Sequence, residues 1–72
     1  MNERKMKAKL VEKGFSVEEL ATRIAMHQST FYRKMKDSSF TVSEVTSIAK
    51  ELDLSVEELN NIFFESVVAE VR

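Results

Sequence analysis

Residues 16–35, SVEELATRIAMHQSTFYRKM, carry the most informative pattern in the sequence. They contain two helical patterns separated by a short break at residues 25–27. Helices joined by so short a connection must cross steeply, so the first helix needs a small residue at the contact. Ala21 supplies that residue, Met26 fills the bend and Phe31 projects back from the second helix. The spacing therefore predicts two helices packed closely at a steep angle.

Helix starts can be read outward from this stretch, because the pentapeptide SVEEL occurs at residues 16–20 and again at 55–59. Each copy places Glu three residues after Ser, which is the pattern of a capping box that satisfies free backbone N–H groups. A third start has Thr in place of Ser. The pairs are Ser16 with Glu19, Thr41 with Glu44, and Ser55 with Glu58. Three such starts in 72 residues indicate an all-α protein.

The complete pattern predicts one compact five-helix domain over residues 1–72, with a C-terminal tail over about 65–72 that extends the last helix or trails from it. The predicted helices are 3–13, 17–25, 28–36, 42–52 and 56–64. Apolar residues at helical spacing predict the core. These are Met6, Leu10, Leu20, Ala21, Ile24, Phe31, Met35, Phe40, Val45, Ile48, Ala49, Leu52, Leu59, Ile62 and Phe63.

The composition excludes several kinds of site. There is no cysteine and one histidine, so disulfides and thiolate metal sites are excluded and a zinc site is not expected. No nucleophile–base pattern or glycine-rich phosphate loop indicates an enzyme, a cofactor or a small-molecule substrate. No apolar stretch predicts a signal peptide or a membrane span, so we expect a cytoplasmic protein.

The net charge of −1 conceals an asymmetry along the chain. Residues 1–36 carry nine Lys or Arg against four acids, whereas residues 37–72 carry two against eight. Such a division suggests a charged partner, either phosphate for the first half or a basic protein for the second. Ordinary solvated helix faces explain the same numbers without any partner.

The two crossing helices have the spacing of a helix-turn-helix motif, residues 16–36, whose second helix can enter the major groove of DNA. Through the pattern EELA…I.MHQSTFYRKM, residues 4–64 resemble the lambda-repressor-like (Cro/C1-type) helix-turn-helix family. The short length, the FYRKM sequence and the IFF sequence near the end are similar to the modulator-of-repression antirepressors of temperate phages of Gram-positive bacteria.

This resemblance implies a regulator of a phage genetic switch in the bacterial host cytoplasm. Its partner would be the cognate phage repressor, which an antirepressor binds through the repressor's N-terminal DNA-binding domain so that the lytic programme is favoured. The alternative is a Cro-type repressor that binds operator DNA directly. The two functions can coexist if a complex with the repressor itself binds DNA.

The chain departs from the family pattern at three positions. The turn position that is usually glycine is Ala25, where a positive φ would carry strain. The late apolar position of the third helix is Lys34, which suggests that this helix is slightly rotated. The glutamine that often begins the second helix and contacts phosphate is Val17, which weakens the case for DNA.

The second helix of the motif carries the predicted contacts with nucleic acid or a partner. We expect His27 to act as a turn or cap residue, and Gln28 and Arg33 to reach base edges. The full predicted set is His27, Gln28, Ser29, Tyr32, Arg33, Lys34 and Lys36. A second cationic row, Lys5, Lys9 and Lys13, could follow a phosphate backbone, but nearby acids favour a solvated stripe.

Two further surfaces are predicted from the acidic half. An acidic face able to dock on a repressor comprises Glu51, Asp53, Glu57, Glu58 and Glu65, although Glu57 and Glu58 also complement a helix dipole. The apolar residues near the C-terminus are too numerous for one helix face, which predicts an apolar interface. Its residues are Phe64, Val67, Val68 and Val71.

Overall fold

The computed structural model describes residues 1–64, and they form five α-helices without a strand. The helices are α1 (Glu3–Lys13), α2 (Val17–Arg23), α3 (Gln28–Asp37), α4 (Val42–Leu52) and α5 (Val56–Phe63). The predicted all-α, five-helix fold is therefore confirmed. No helix among residues 1–64 is long and apolar enough to cross a membrane.

Helix ends follow from capping chemistry, and all three predicted capping boxes are present. In each box the Ser or Thr hydroxyl accepts the Glu N–H at 3.1 Å, and the Glu carboxylate accepts the N–H of the cap residue. Each box satisfies two of the N–H groups that a helix start leaves without partners. Gly14 ends α1 in the left-handed conformation, with φ 78°.

Three helices end away from their predicted positions, and among them α5 ends at Phe63, one residue before its predicted end. The prediction extended α2 to residue 25, but the helix stops at Arg23 because Ala25 turns into the left-handed region, with φ 57°. The third helix continues to Asp37, one residue past the prediction, until Ser38 adopts φ 56°. The ends of α2 and α3 are thus each set by a single backbone reversal that sequence periodicity does not reveal.

Eleven apolar side chains are buried among residues 1–64. They are Met6, Leu10, Leu20, Ala21, Phe31, Met35, Val45, Ile48, Leu52, Ile62 and Phe63. All eleven belong to the predicted core. Phe40, Ile24, Ala49 and Leu59 were also predicted to be buried but are half-buried, because so small a domain leaves parts of its inward faces at the surface.

Aromatic contacts fasten the loop between α3 and α4 to this core. The Phe40 ring meets Phe31 edge-on with centroids 5.1 Å apart and meets Phe63 with centroids 6.2 Å apart. Edge-to-face pairs of this kind contribute about 0.5–1.5 kcal/mol beyond area burial. Phe40 therefore anchors the loop, as its sequence position predicts, and fixes the exit of α3 against α5.

Candidate nucleic-acid interface

The turn between α2 and α3 is built around two alanines. Ala21 is 1% exposed, and its carbonyl accepts the Met26 N–H at 2.8 Å, which closes the bend. Ala25 has the positive φ that glycine would adopt without strain, at a cost of roughly 1–2 kcal/mol. Met26 is half-buried and packs against the core from within the bend. The close crossing thus uses the small residue that the sequence predicts.

His27 begins α3 as its N-cap residue, which confirms the prediction of a cap. Its Nδ1 accepts the Ser29 N–H at 3.2 Å and lies 2.8 Å from the Ser29 Oγ. A ring nitrogen that accepts an amide proton carries no hydrogen itself, so in this cap the ring hydrogen lies on Nε2. The imidazole is therefore occupied with starting the helix.

One face of α3 is exposed along its whole length. Gln28, Tyr32 and Lys36 follow one another at a spacing of four residues, and Ser29 and Arg33 form the adjacent row. All five side chains are exposed, while Phe31 and Met35 on the inward side are buried. Burial of Met35 fixes the rotation of α3. The buried position near the end of the helix is therefore one residue after Lys34, the position that is apolar in the family pattern.

Lys34 is paired within the fold. Its Nζ lies 2.6 Å from the Glu44 Oε2, and the pair is less than one-quarter exposed. The other Glu44 oxygen accepts the Thr41 N–H at 2.9 Å. The Lys34 ammonium and the Thr41 N–H hold the pKa of the Glu44 carboxyl below its usual range. Lys34 was predicted to contact nucleic acid or a partner, and it would have to leave Glu44 to do so.

A family model described as the Cro/C1-type HTH DNA-binding domain matches residues 1–65. The chain belongs to this family. Among curated proteins and solved structures, none matches the chain significantly. Membership makes the chain a helix-turn-helix DNA-binding domain of the kind found in transcription regulators, with α2 and α3 as the motif.

One member of the predicted basic row on α1 of this Cro/C1-type domain, Lys9, is paired within the fold. Lys7, which lies outside that row, pairs with Glu3 at 3.2 Å, whereas Lys9 pairs with Glu12 at 3.0 Å and also with Glu58 of α5. The two carboxylates raise the pKa of Lys9. The Lys9 ammonium and the Ser55 N–H lower the pKa of Glu58 to about 2. Lys9 therefore connects α1 to α5 rather than facing solvent as part of a stripe.

The five residues of the predicted acidic face have different local roles. Glu51 lies 3.5 Å from Arg23 of α2, and Glu58 is held by Lys9 and Ser55. Asp53 ends α4 in the left-handed conformation, with φ 52°. Glu57 is exposed in the first turn of α5. Two of these carboxylates are thus paired within the chain, and Glu65 lies outside the described residues.

The predicted apolar interface is described at one residue only. Phe64 follows α5 as its C-cap, is 36% exposed and has its ring 6.3 Å from that of Phe63. Val67, Val68 and Val71 lie outside the described residues. Phe63 itself is buried, as the sequence predicts, so the boundary between core and surface at this end of the domain falls between the two phenylalanines.

Long-range ion pairs were missed by sequence reasoning. The capping box identifies Glu44, but nothing in its spacing indicates Lys34 as a partner ten residues earlier. Arg23 was likewise overlooked: it stacks 5.0 Å from the centroid of Phe15 and approaches Glu51. One signal was available in the sequence. Lys34 occupies a position that is apolar in the family pattern, and a lysine side chain that turned inward there required a carboxylate nearby.

Proposed function

We propose that the chain is an antirepressor, which binds the cognate phage repressor through that protein's DNA-binding domain, blocks operator binding and favours the lytic programme. The observation that supports this proposal is a mismatch of charge around α3. The α3 face offers exposed Gln28, Ser29, Tyr32 and Arg33, whereas the start of α2 beside it carries exposed Glu18 and Glu19. In a helix-turn-helix the first helix crosses the DNA backbone.

Acidic side chains at that position oppose phosphate, and phosphate contacts supply most of the affinity of DNA-binding proteins. Two of the cations that could offset the acids are engaged within the fold, because Lys34 pairs with Glu44 and Arg23 approaches Glu51. Arg33 and Lys36 remain exposed on α3. A basic protein surface, such as that with which a repressor holds its operator, fits this charge distribution better than DNA does.

The mechanism that we propose is occlusion. The repressor binds either its operator or this chain, so binding of this chain lowers the apparent affinity of the repressor for its operator. The α3 face supplies the polar and aromatic contacts, with Tyr32 as a side chain of the type that carries energy at interfaces. The short length and the FYRKM and IFF sequences, through which the chain resembles modulator-of-repression antirepressors, favour the same function.

A Cro-type repressor is the second candidate, and it rests on Gln28 and Arg33. Glutamine can form two hydrogen bonds with adenine, and arginine can do the same with guanine. Both side chains are exposed at the positions from which a recognition helix reaches base edges. Because one such domain makes few phosphate contacts, we expect that this function would require a dimer on a palindromic operator.

Fluorescence anisotropy distinguishes the two candidates. Labelled operator DNA is saturated with the cognate full-length repressor and titrated with this chain. Antirepression predicts a fall to the value of free DNA, whereas Cro-like competition predicts an intermediate plateau from a smaller bound protein. A rise would indicate a joint complex on DNA. An unchanged signal at large excess would contradict antirepression for that repressor.

A pair of amide variants locates the activity on α3. Gln28→Ala removes an exposed amide from the recognition face, and we expect roughly fivefold weaker displacement, as for loss of one interface hydrogen bond. Asn61→Ala removes an exposed amide from α5 and serves as the matched control. Equal displacement by the two variants would show that α3 is not the surface that contacts the repressor.

A further inference from the structure

An open groove of about 390 Å³ adjoins the recognition face. Its walls come from the end of α1, the start of α2 and Tyr32 of α3. Its lining includes Lys7, Val11, Phe15, Val17, Glu18 and Tyr32. Because Tyr32 belongs both to the groove and to the exposed face of α3, the two surfaces are continuous. We call this feature the α1–α2 groove.

The α1–α2 groove is apolar where a helix surface is ordinarily polar. Val11 is 79% exposed and Tyr32 is 47% exposed, while Phe15 and Val17 are half-buried in the same lining. A single exposed valine is unremarkable. Four neighbouring apolar side chains around one concave surface are of the kind that accepts a side chain from another protein.

The charge at the rim of the groove is negative. Lys7 is neutralised by Glu3 at 3.2 Å. Glu18 lines the groove from the first turn of α2, and its carboxylate forms no hydrogen bond or ion pair within residues 1–64. Glu19 beside it is engaged in the capping box with Ser16. The free charge at the groove is therefore one carboxylate, which attracts a cation.

DNA is a poor occupant of such a groove. Phosphates are repelled by the Glu18 carboxylate, and Val11 and Val17 offer no hydrogen bond to a phosphate oxygen. An amphipathic helix with basic residues next to an apolar one matches both features, since the apolar side chain fills the groove and its cationic neighbour meets Glu18.

We infer that the α1–α2 groove receives an apolar side chain from a basic amphipathic helix of the partner repressor, with an adjacent Arg or Lys paired to Glu18. The inference rests on the proposed antirepressor function and extends it, because it places part of the interface outside α3. The groove excludes water around the apolar contact, and Glu18 selects partners that are positively charged at that point.

The test measures binding of the full-length Cro/C1-type repressor from the same genome to wild-type chain and four variants by isothermal titration calorimetry. The chain provides matched controls. Val11→Gln in the groove is paired with Val42→Gln, since Val42 is 80% exposed on α4 and does not line the groove. Glu18→Lys is paired with Asp37→Lys, since Asp37 is an exposed acid at the end of α3 that belongs to none of the predicted contact surfaces and does not line the groove.

We expect Val11→Gln to weaken binding about tenfold, as for one lost buried aliphatic contact. Glu18→Lys is expected to weaken it by about tenfold or more, because an attraction becomes a repulsion. The two controls are expected to bind within about twofold of wild type. Circular dichroism of each variant verifies that the helices are intact.

The contrary results distinguish failure of the groove inference from failure of the proposed function. If wild type binds the repressor and all four variants bind equally, the groove inference is wrong and the proposed function stands. If wild type binds no repressor, the proposed function is wrong and the inference with it. Tighter binding of duplex DNA by Glu18→Lys without loss of repressor affinity would assign the groove to a DNA backbone. Dimer dissociation on Val11→Gln in sedimentation experiments would assign it to a second copy.

Discussion

The two SVEEL copies are identical in sequence and differ in what they do. Both begin a helix with the same reciprocal capping box, at residues 16–20 for α2 and 55–59 for α5. In the first copy the leucine is fully buried, and the valine packs against the core. In the second the leucine is half-buried and the valine is 76% exposed.

The charged residues of the two copies diverge in the same way. The last glutamate of the second copy, Glu58, accepts a hydrogen bond from Lys9 in addition to the Ser55 N–H. Its counterpart Glu19 accepts the Ser16 N–H without a cation beside it among residues 1–64. Local sequence therefore determines the cap, and tertiary surroundings determine what the remaining side chains contribute.

The largest expected difference between the copies is at their leucines. Leu20→Ala removes a side chain that is 0% exposed, and we expect it to lower the free energy of unfolding by about 2–5 kcal/mol through lost burial and a cavity. Leu59→Ala removes a half-buried side chain, so the expected loss is about 1–2 kcal/mol. Urea unfolding followed by circular dichroism measures both. Equal losses would contradict the view that the different surroundings of the two leucines determine their contribution to stability.

A smaller difference is expected in the response to acid. The pKa of Glu58 is lowered to about 2 from an ordinary value of 4.5. A carboxyl whose pKa is depressed by folding stabilises the fold above its unfolded pKa, and that contribution disappears as pH falls through the folded pKa. The Glu58 contribution is thus present above about pH 4.5 and lost towards pH 2.

Glu58→Gln and Glu19→Gln test this assignment as a matched pair. We expect Glu58→Gln to flatten the fall in urea midpoint between pH 5 and pH 2, roughly the window in which the carboxyl titrates. Glu19→Gln removes a carboxylate that has no ion-paired cation among residues 1–64 and is the matched control. Glu44, whose pKa is also lowered, contributes alike in all three proteins and serves as an internal reference. Identical pH profiles for the two variants would contradict the assignment of this pH dependence to Glu58.

The contrast also explains how far the sequence predicts this molecule. Caps depend on residues three positions apart, so the helix starts at Ser16, Thr41 and Ser55 were predictable. Burial of Phe31 and Ala21 followed from spacing and size. The pairings of Lys34 with Glu44 and of Lys9 with Glu58 depend on how helices pack, which no local pattern specifies.

The candidate site divides along the same line. The α3 residues and the cap at His27 were predictable because the helix-turn-helix has fixed spacing. The α1–α2 groove was not, because Val11 becomes part of it only when the end of α1 lies against the start of α2 and Tyr32. A residue such as Val11 has no distinguishing context in the sequence, and its neighbours in space come from three helices.

The smallest expected difference is at the valines. Val17→Ser removes a half-buried side chain that packs against the core, and about 1 kcal/mol of stability is expected to be lost with its apolar surface. Val56→Ser changes a side chain that is 76% exposed, so the free energy of unfolding is expected to stay within about 0.5 kcal/mol of the wild-type value.

Both positions are the first residue of a helix after a serine cap, so helix propensity changes equally. A change in urea midpoint at an unchanged m-value then measures the stability lost through packing against the core. If Val56→Ser proved as costly as Val17→Ser, the loss would belong to the helix start, and the distinction between the copies at this position would disappear.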